Sequence, residues 1–208
     1  MVWKFDESVA ERFQHEAQSH IPDYDRVIDL CLNYAEWRHR KDDIIVDVGS
    51  ALGHTLHIFH QAGYTNIHGI ESSIDMINRS LHSDKVIHSS SYVDLNPNLV
   101  LMNWTLHFIP DKKSYLRSIY DDLAENGSLI LTDKTVQSLA VRSMYYNFKY
   151  KRGVPYQYIF EKENELKDVM YLDSVDWYFK VLSEIGFKVE ILNAKYGFVT
   201  FVGVKDAN

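Results

Sequence analysis

Cysteine, proline and long apolar runs are all scarce in this sequence. Its 208 residues include one cysteine and four prolines. No apolar run is long enough to cross a bilayer, so we expect no membrane partner. Cys31 follows the apolar spacing of a helix, which predicts a buried thiol in a reducing compartment. Because the first residues also lack the pattern of a signal peptide, we expect a cytoplasmic protein.

Positive charge is in short supply as well. Lysine and arginine total 22 against 29 aspartates and glutamates, which gives a formal net charge of −7. This balance argues against tight, nonspecific binding of nucleic acid, although it leaves room for a local basic patch. The length and the 46% hydrophobic content fit one domain over residues 1–208. We expect its partner to be a small-molecule substrate.

Apolar runs alternate with amphipathic segments from residue 44 onward. This alternation predicts a parallel sheet with helices on both faces. The last two apolar runs are joined by a short turn, so one of these strands must be antiparallel. We predict an α/β, Rossmann-like fold whose seven-stranded sheet is mostly parallel and has a C-terminal antiparallel hairpin strand. N-terminal helices over residues 1–40 and a helical lid or dimer insert over 136–172, after strand five, complete the prediction. The predicted strands cover residues 44–48, 67–71, 85–88, 99–103, 128–132, 188–192 and 198–204.

A turn of small residues follows the first predicted strand. Such a turn brings backbone N–H groups and a helix N-terminus close to a ligand. Glu71 ends the next strand, about 20 residues beyond the turn, where an acid commonly holds the hydroxyls of a ribose. We therefore predict a nucleoside site. Its candidate residues are Asp47, Gly49, Ser50, Ala51, Gly53 and Glu71, with Ser72 and Ser90 after the neighbouring strands.

Asp47 indicates which nucleoside the site would bind. An acid two residues before the first glycine would repel a pyrophosphate, but it suits a sulfonium or an ammonium group. The turn resembles that of the seven-stranded, S-adenosylmethionine-dependent methyltransferase class, which reads acid-x-Gly-x-Gly-x-Gly. Ala51 stands at the central glycine, where alanine is tolerable if its φ angle is negative. Similar enzymes carry an acid after strand three; if Ser90 meets the adenine amino group in its place, it does so as a neutral acceptor.

A narrower resemblance extends over nearly the whole chain. Residues 5–13 and 21–24 resemble the N-terminus of carboxy-S-adenosylmethionine synthases, which act in tRNA wobble-uridine modification. Residues 103–108 resemble that family's Asn-Phe-Thr-Leu-Gln-Phe segment, and residues 132–134 resemble its Ser-Glu-Lys. Further matches lie at residues 147–149, 168–170, 173–175 and 186–187. The resemblance implies S-adenosylmethionine, or a carboxylated derivative, as cofactor and a homodimer as the assembly.

One position departs from this family where its reaction is decided. The family transfers a carboxyl group from prephenate and holds the product carboxylate with an arginine, and Glu163 replaces that arginine here. An acid would repel a carboxylate instead of holding it. Lys151 or Arg152 could substitute from elsewhere. We thus favour a methyltransferase of unknown acceptor, with a carboxy-S-adenosylmethionine synthase and a non-catalytic cofactor-binding protein as alternatives.

Candidate catalytic residues follow the fourth predicted strand, because ligands of such sheets lie at the carboxyl ends of the strands. Asn103 would contact the methionine part or the substrate, and Trp104 would stack on a ligand or cover the core. His107 is either a general base or a polar surface histidine. Asp133 and Lys134 either face the substrate or form a surface ion pair.

Two further clusters have simpler explanations than a functional site. Successive steps of three residues rotate His54, His57 and His60 apart on a helix, so we expect no metal site there. The tyrosines and phenylalanines over residues 145–158 could stack on bases, but core or dimer contacts explain them more simply.

Overall fold

A seven-stranded sheet organises residues 5–206, the part of the chain that the computed structural model describes. The predicted N-terminal segment, 1–40, and the predicted domain, 1–208, both extend beyond the described residues. The strands are β1 (Ile45–Val48), β2 (Ile67–Glu71), β3 (Val86–His88), β4 (Leu99–Asn103), β5 (Ser128–Lys134), β6 (Lys188–Lys195) and β7 (Phe198–Val204).

The strand order confirms the predicted topology. It is β3-β2-β1-β4-β5-β7-β6. The first five strands pair in parallel, whereas β7 is antiparallel to both β5 and β6. In the register, Val48 pairs with Ile70 and Asn103 pairs with Thr132. The carboxyl ends of β1, β2, β4 and β5 therefore meet at one edge of the sheet.

Helices cover both faces of the sheet. Side chains alternate along the central strands, so Val46 and Val100 pack with helices α5 and α8, while Ile45 and Leu101 pack with α2 and α3. Both faces are buried, which explains the continuous apolar runs in the sequence. The helices are α1 (Glu7–His20), α2 (Tyr24–Arg38), α3 (His54–Gln61), α4 (Ile74–Asn78), α5 (Lys112–Asp122), α6 (Leu139–Lys151), α7 (Tyr156–Leu166) and α8 (Val175–Ile185).

Two boundaries differ from prediction in ways that matter for the site. Strand β5 continues past Thr132 to Lys134, because its last residues pair with the start of β7. Strand β6 likewise continues past Leu192 to Lys195, which pairs with Phe198 at the start of β7. Within the described residues, no helix has both the length and the apolar character needed to cross a membrane.

Candidate functional site

A cavity of about 770 Å³ opens at the carboxyl edge of the sheet. Its floor is formed by the ends of β1, β2 and β4 and by the turns that follow them. Helices α1, α6 and α7 contribute side chains to its walls. Of the predicted site residues, those that line it are Asp47, Gly49, Ser50, Ala51, Glu71, Ser72, Ser90, Asn103, Trp104 and His107.

Gly53 is the exception among the predicted cofactor residues, because it does not line the cavity. It caps the N-terminus of α3 with a φ angle of 72°. A Cβ atom built there would lie 2.4 Å from the Oγ atom of Ser80. We infer a structural role for Gly53: the turn needs this backbone conformation and the close approach of residue 80.

The glycine turn itself is held by a buried acid. Glu71 accepts the backbone N–H of Ala51 at 2.9 Å through Oε2, and those of Ser72 and Ser73 at 2.8 Å through Oε1. Its side chain is buried, so these hydrogen bonds are shielded from solvent. Glu71 thus links the turn after β1 to the turn after β2.

Alanine at position 51 was expected to be tolerable if its φ angle is negative, and this condition is not met. Its φ angle is 45°, in the left-handed region. An alanine there is strained by about 1–2 kcal/mol, which a glycine would avoid. The chain therefore accepts local strain in the wall of the cavity.

Asp47 creates an acidic end of the cavity. Burial, and then the negative charge of Glu71, raise the pKa of Asp47 to about 8. A hydrogen bond with Thr55 opposes this shift only in part. Two buried acids close together favour a cationic ligand, which would relieve their repulsion.

Four buried polar atoms of cavity-lining residues lack a hydrogen-bond partner among residues 5–206. They are the Nε2 atom of His20, the Oγ atom of Ser50, the Oδ1 atom of Asn103 and the Nε1 atom of Trp104. Buried polar groups are nearly always satisfied, so unpartnered ones at a cavity indicate groups that a ligand would pair. Together with the acidic end, they fit a ligand that carries a cation and several polar groups, as S-adenosylmethionine does.

His107 and Asp133 form a buried pair, which corrects two alternatives from the sequence. His107 is only 2% exposed, so it is not a surface histidine. Its Nδ1 atom contacts the Oδ1 atom of Asp133, which is fully buried on β5. Asp133 is therefore not in a surface ion pair with Lys134, and it does not line the cavity.

The other end of the cavity is basic. Lys134 and Lys149 are 9% and 6% exposed, and neither forms an ion pair with another described residue. Their Nζ atoms lie 5.4 and 4.3 Å from the ring centroid of Tyr145. Burial, and then the charge of Lys134, lower the pKa of Lys149 to about 7. Such lysines indicate a place for an anionic group.

Sequence reasoning named Lys151 and Arg152, and not Lys149, as residues that could hold a carboxylate. Arg152 stacks on the ring of Phe148 at 4.5 Å, and neither Arg152 nor Lys151 lines the cavity. Glu163 does line it, where it accepts a hydrogen bond from the hydroxyl of Tyr146. The spacing of lysines along α6 does not tell which of them faces inward.

The three histidines of α3 do not share one site. His54 lines the cavity, whereas the Nδ1 atom of His57 lies 3.3 Å from the Nε2 atom of His82. In the described part of the chain, no group of three or more His, Cys, Asp or Glu residues could hold a metal ion.

The fold and the site define a class I methyltransferase, and comparison with known proteins identifies the family. A family model described as a methyltransferase domain matches residues 13–190, so the chain belongs to that family. Two relatives are named carboxy-S-adenosyl-L-methionine synthase. The protein from Pasteurella multocida is 29% identical and that from Mannheimia succiniciproducens 27% identical, each over 97% of this chain and 92% of the relative.

Solved structures share the fold at low sequence identity. The magnesium protoporphyrin IX methyltransferase of Synechocystis, solved with bound SAH, has a TM-score of 0.68 and 11% identity, covering 97% of this chain and 96% of that one. A SAM-dependent methyltransferase from Aquifex aeolicus has a TM-score of 0.63 and 14% identity, covering 97% and 99%. The prediction of a Rossmann-like, S-adenosylmethionine-dependent transferase is confirmed.

Proposed function

We propose that this protein transfers a methyl group from S-adenosylmethionine to a small-molecule acceptor bound at the basic end of the cavity. The observation that carries the proposal is the polarity of one continuous cavity. Asp47 and Glu71 lie at its acidic end, and Lys134 and Lys149 lie at the other. A cationic cofactor and an anionic or polar acceptor would each find opposite charge there.

The cofactor-binding residues in this proposal come from the turns after β1, β2, β3 and β4. Asp47 would face the cationic methionine part, and Glu71 the ribose. Trp104 already stacks on Tyr24 at 4.7 Å, and Ser72 and Ser90 lie at the exposed rim. The remaining contacts would come from Gly49, Ser50, Ala51 and Asn103.

Titration calorimetry of the wild-type protein with S-adenosylmethionine and S-adenosylhomocysteine tests this function. We expect both to bind, and NADH, which carries a pyrophosphate, to bind far more weakly because Asp47 and Glu71 repel it. Absence of binding by both sulfur nucleosides would contradict the proposal. Turnover is then measured as S-adenosylhomocysteine formed from S-adenosylmethionine.

A second candidate function is that of the named relatives, carboxy-S-adenosylmethionine synthesis. Coverage of 92% of those proteins and the two buried lysines, which could hold a carboxylate, favour it. Glu163 opposes it, because its side chain enters the same cavity. Incubation with S-adenosylmethionine and prephenate, followed by mass spectrometry, separates the two. We expect no carboxylated nucleoside, and its formation would assign the chain to the tRNA-modification chemistry that the resemblance implies.

We also propose that the insert over residues 136–172 joins two copies of the chain. Large apolar side chains on α6 and α7 are exposed, among them Leu139 at 74%, Met144 at 55% and Phe160 at 49%. Exposed apolar side chains grouped on one surface are typical of an interface.

Sedimentation velocity measures this assembly. We expect a dimer for the wild type and a monomer for the variant Leu139→Glu with Met144→Glu. Leu81→Glu, which changes another exposed leucine outside the insert, is the matched control and is expected to stay dimeric. A wild-type monomer at micromolar concentration would contradict the dimer.

A further inference from the structure

The contact between His107 and Asp133 joins two elements that are far apart in sequence. His107 lies in a helical turn, Leu106–Phe108, just beyond β4, and Asp133 lies in the fully buried strand β5. The backbone N–H of Tyr171 donates to the carbonyl oxygen of His107 at 2.7 Å. Backbone and side chain of His107 are therefore both fixed.

Both carboxylate oxygens of Asp133 are occupied by protein groups. Oδ1 contacts the Nδ1 atom of His107, and Oδ2 accepts the hydroxyl of Tyr178 at 2.5 Å. Burial, and then the charge of Asp133, raise the pKa of Tyr178, so its hydroxyl keeps its proton and donates it. An ionised carboxylate only accepts hydrogen bonds, so the Nδ1 atom of His107 must carry the proton.

This arrangement leaves the other ring nitrogen of His107 as the basic one. The Nε2 atom makes no hydrogen bond with any group in residues 5–206, and His107 lines the cavity. We infer that His107 and Asp133, positioned by Tyr178, form a general-base dyad that takes the proton from a hydroxyl or amine acceptor. The inference rests on the proposed methyl transfer and specifies the class of acceptor.

The proposed step balances in atoms and electrons. S-adenosylmethionine supplies an electrophilic methyl group: the acceptor oxygen or nitrogen bonds to its carbon, the carbon–sulfur bond breaks, and that electron pair stays on sulfur. The acceptor's proton passes to the Nε2 atom of His107. Asp133 stabilises the resulting imidazolium through Nδ1, the role that the aspartate has in a Ser-His-Asp triad.

Lys112, the cation packed against Tyr178, does not line the cavity. Lys112 on α5 donates to the Oδ2 atom of Asp173 at 2.5 Å, and its Nζ atom lies 3.5 Å from the hydroxyl of Tyr178. Because Lys112 forms an ion pair with Asp173, its charge does not neutralise Asp133. On the cavity side, the nearest cationic residue along β5 is Lys134, adjacent to Asp133 in sequence.

NMR of ¹⁵N-labelled protein tests the dyad without any acceptor. Long-range ¹H–¹⁵N spectra of the histidine rings at pH 8 are expected to show His107 as the neutral Nδ1–H tautomer, assigned by its loss in His107→Gln. In Asp133→Asn, we expect this tautomer to lose its preference. The pair of His39 and Asp43, whose Nδ1 and Oδ2 atoms are 3.4 Å apart, provides the matched control. Its variant, Asp43→Asn, should leave the His107 signals unchanged.

Two NMR outcomes would overturn the inference. One is an Nε2–H tautomer of His107, which would direct a proton and not a lone pair into the cavity. The other is an imidazolium that persists at pH 8, which would make the pair a structural ion pair.

Kinetics with defined acceptors provide the second test. Catechol and tyramine carry their protons at neutral pH, whereas benzoate is already ionised. For the protonated acceptors, the variant His107→Gln with Asp133→Glu is expected to lose about 10²–10⁴-fold in rate. Its loss with benzoate, which has no proton to give up, is expected to be much smaller, whereas Asp43→Asn, outside the dyad and the cavity, should keep the wild-type rate with all three acceptors.

The kinetic outcomes separate this inference from the proposed function. An undiminished rate with catechol or tyramine in the double variant, or methylation of benzoate alone, would overturn the dyad. A wild-type protein that binds no S-adenosylmethionine would overturn methyl transfer itself. If no acceptor in this panel is turned over, the NMR experiment decides: the Nδ1–H tautomer of His107 supports the dyad, and the Nε2–H tautomer overturns it.

Discussion

Replacing Gly49 with alanine is expected to lower the free energy of unfolding by about 2–5 kcal/mol. Gly49 has a φ angle of 74°, and an L side chain in the left-handed region costs about 1–2 kcal/mol. A Cβ atom there would also lie 2.1 Å from the Oγ1 atom and 2.7 Å from the Cγ2 atom of Thr105. Forcing these atoms apart adds about 1–3 kcal/mol.

Thr105 cannot easily move away, because its hydroxyl connects two strand ends. The Oγ1 atom lies 3.0 Å from the carbonyl oxygen of Asn103 and 3.2 Å from that of Val48. Displacing Thr105 would thus disturb the ends of β1 and β4 together. We expect cofactor affinity to fall along with stability, since both strand ends form the floor of the cavity.

Urea unfolding of four variants, the single variants Gly49→Ala, Thr105→Ala and Gly153→Ala and one double variant, measures the two contributions separately. Gly153→Ala is the matched control, because Gly153 has a φ angle of 86° but no atom within 4 Å of a built Cβ. It should show the conformational cost alone. In the double variant Gly49→Ala with Thr105→Ala, the loss should be smaller than the sum of the single losses. Equal losses for Gly49→Ala and Gly153→Ala would show that the contact between the added Cβ atom and Thr105 does not contribute to the loss of stability.

Most of the fold could be predicted because each central strand is buried on both faces. Residues 99–102 and 129–131 are continuous apolar runs, which are typical of strands buried on both faces, and both lie within strands of the structure. The terminal turn near Tyr196 and Gly197 made one strand antiparallel by necessity. Helix ends follow less directly from the pattern: Ser73 caps α4, which ends at Asn78 although residues 79–81 contain no helix breaker.

The floor of the site was predictable for the same reason. Asp47, Glu71 and Asn103 each end a strand, and the carboxyl ends of parallel strands share one edge. The walls were not predictable in this way. His107 and Asp133 are 26 residues apart on different elements, so only the tertiary structure shows that they pair. The positive φ angle of Ala51 has no counterpart in the pattern of residue types.

Asp47 is expected to affect the stability of the ligand-free protein and its cofactor affinity in opposite directions. Its folded pKa is about 8, above the 3.8 of an ordinary aspartate. Between these values the folded protein binds more protons than the unfolded chain, so the free energy of unfolding falls as the pH rises. At pH 8, ligand-free Asp47→Asn should therefore be more stable than wild type, by on the order of 3 kcal/mol.

Cofactor binding should respond in the reverse sense. A cationic ligand would favour the ionised form of Asp47, and removing one partner of a buried charge pair costs about 2–5 kcal/mol. We expect Asp47→Asn to bind S-adenosylmethionine roughly 30- to 5000-fold more weakly at pH 8. The ratio of wild-type to variant affinity should fall between pH 8 and pH 6, as Asp47 becomes protonated, and taking the ratio cancels the titration of the ligand itself.

Urea unfolding and calorimetry at pH 6, 7 and 8 measure both effects on the same preparations. Asp42→Asn is the control, because Asp42 is exposed and pairs with Arg40 at 3.0 Å, outside the cavity. It should neither raise the free energy of unfolding at pH 8 nor weaken the binding of S-adenosylmethionine. A loss of stability in Asp47→Asn at every pH would mean that Asp47 is a structural acceptor for Thr55. An affinity ratio that does not vary with pH would mean that Asp47 is ionised throughout, so that burial next to Glu71 does not control its charge.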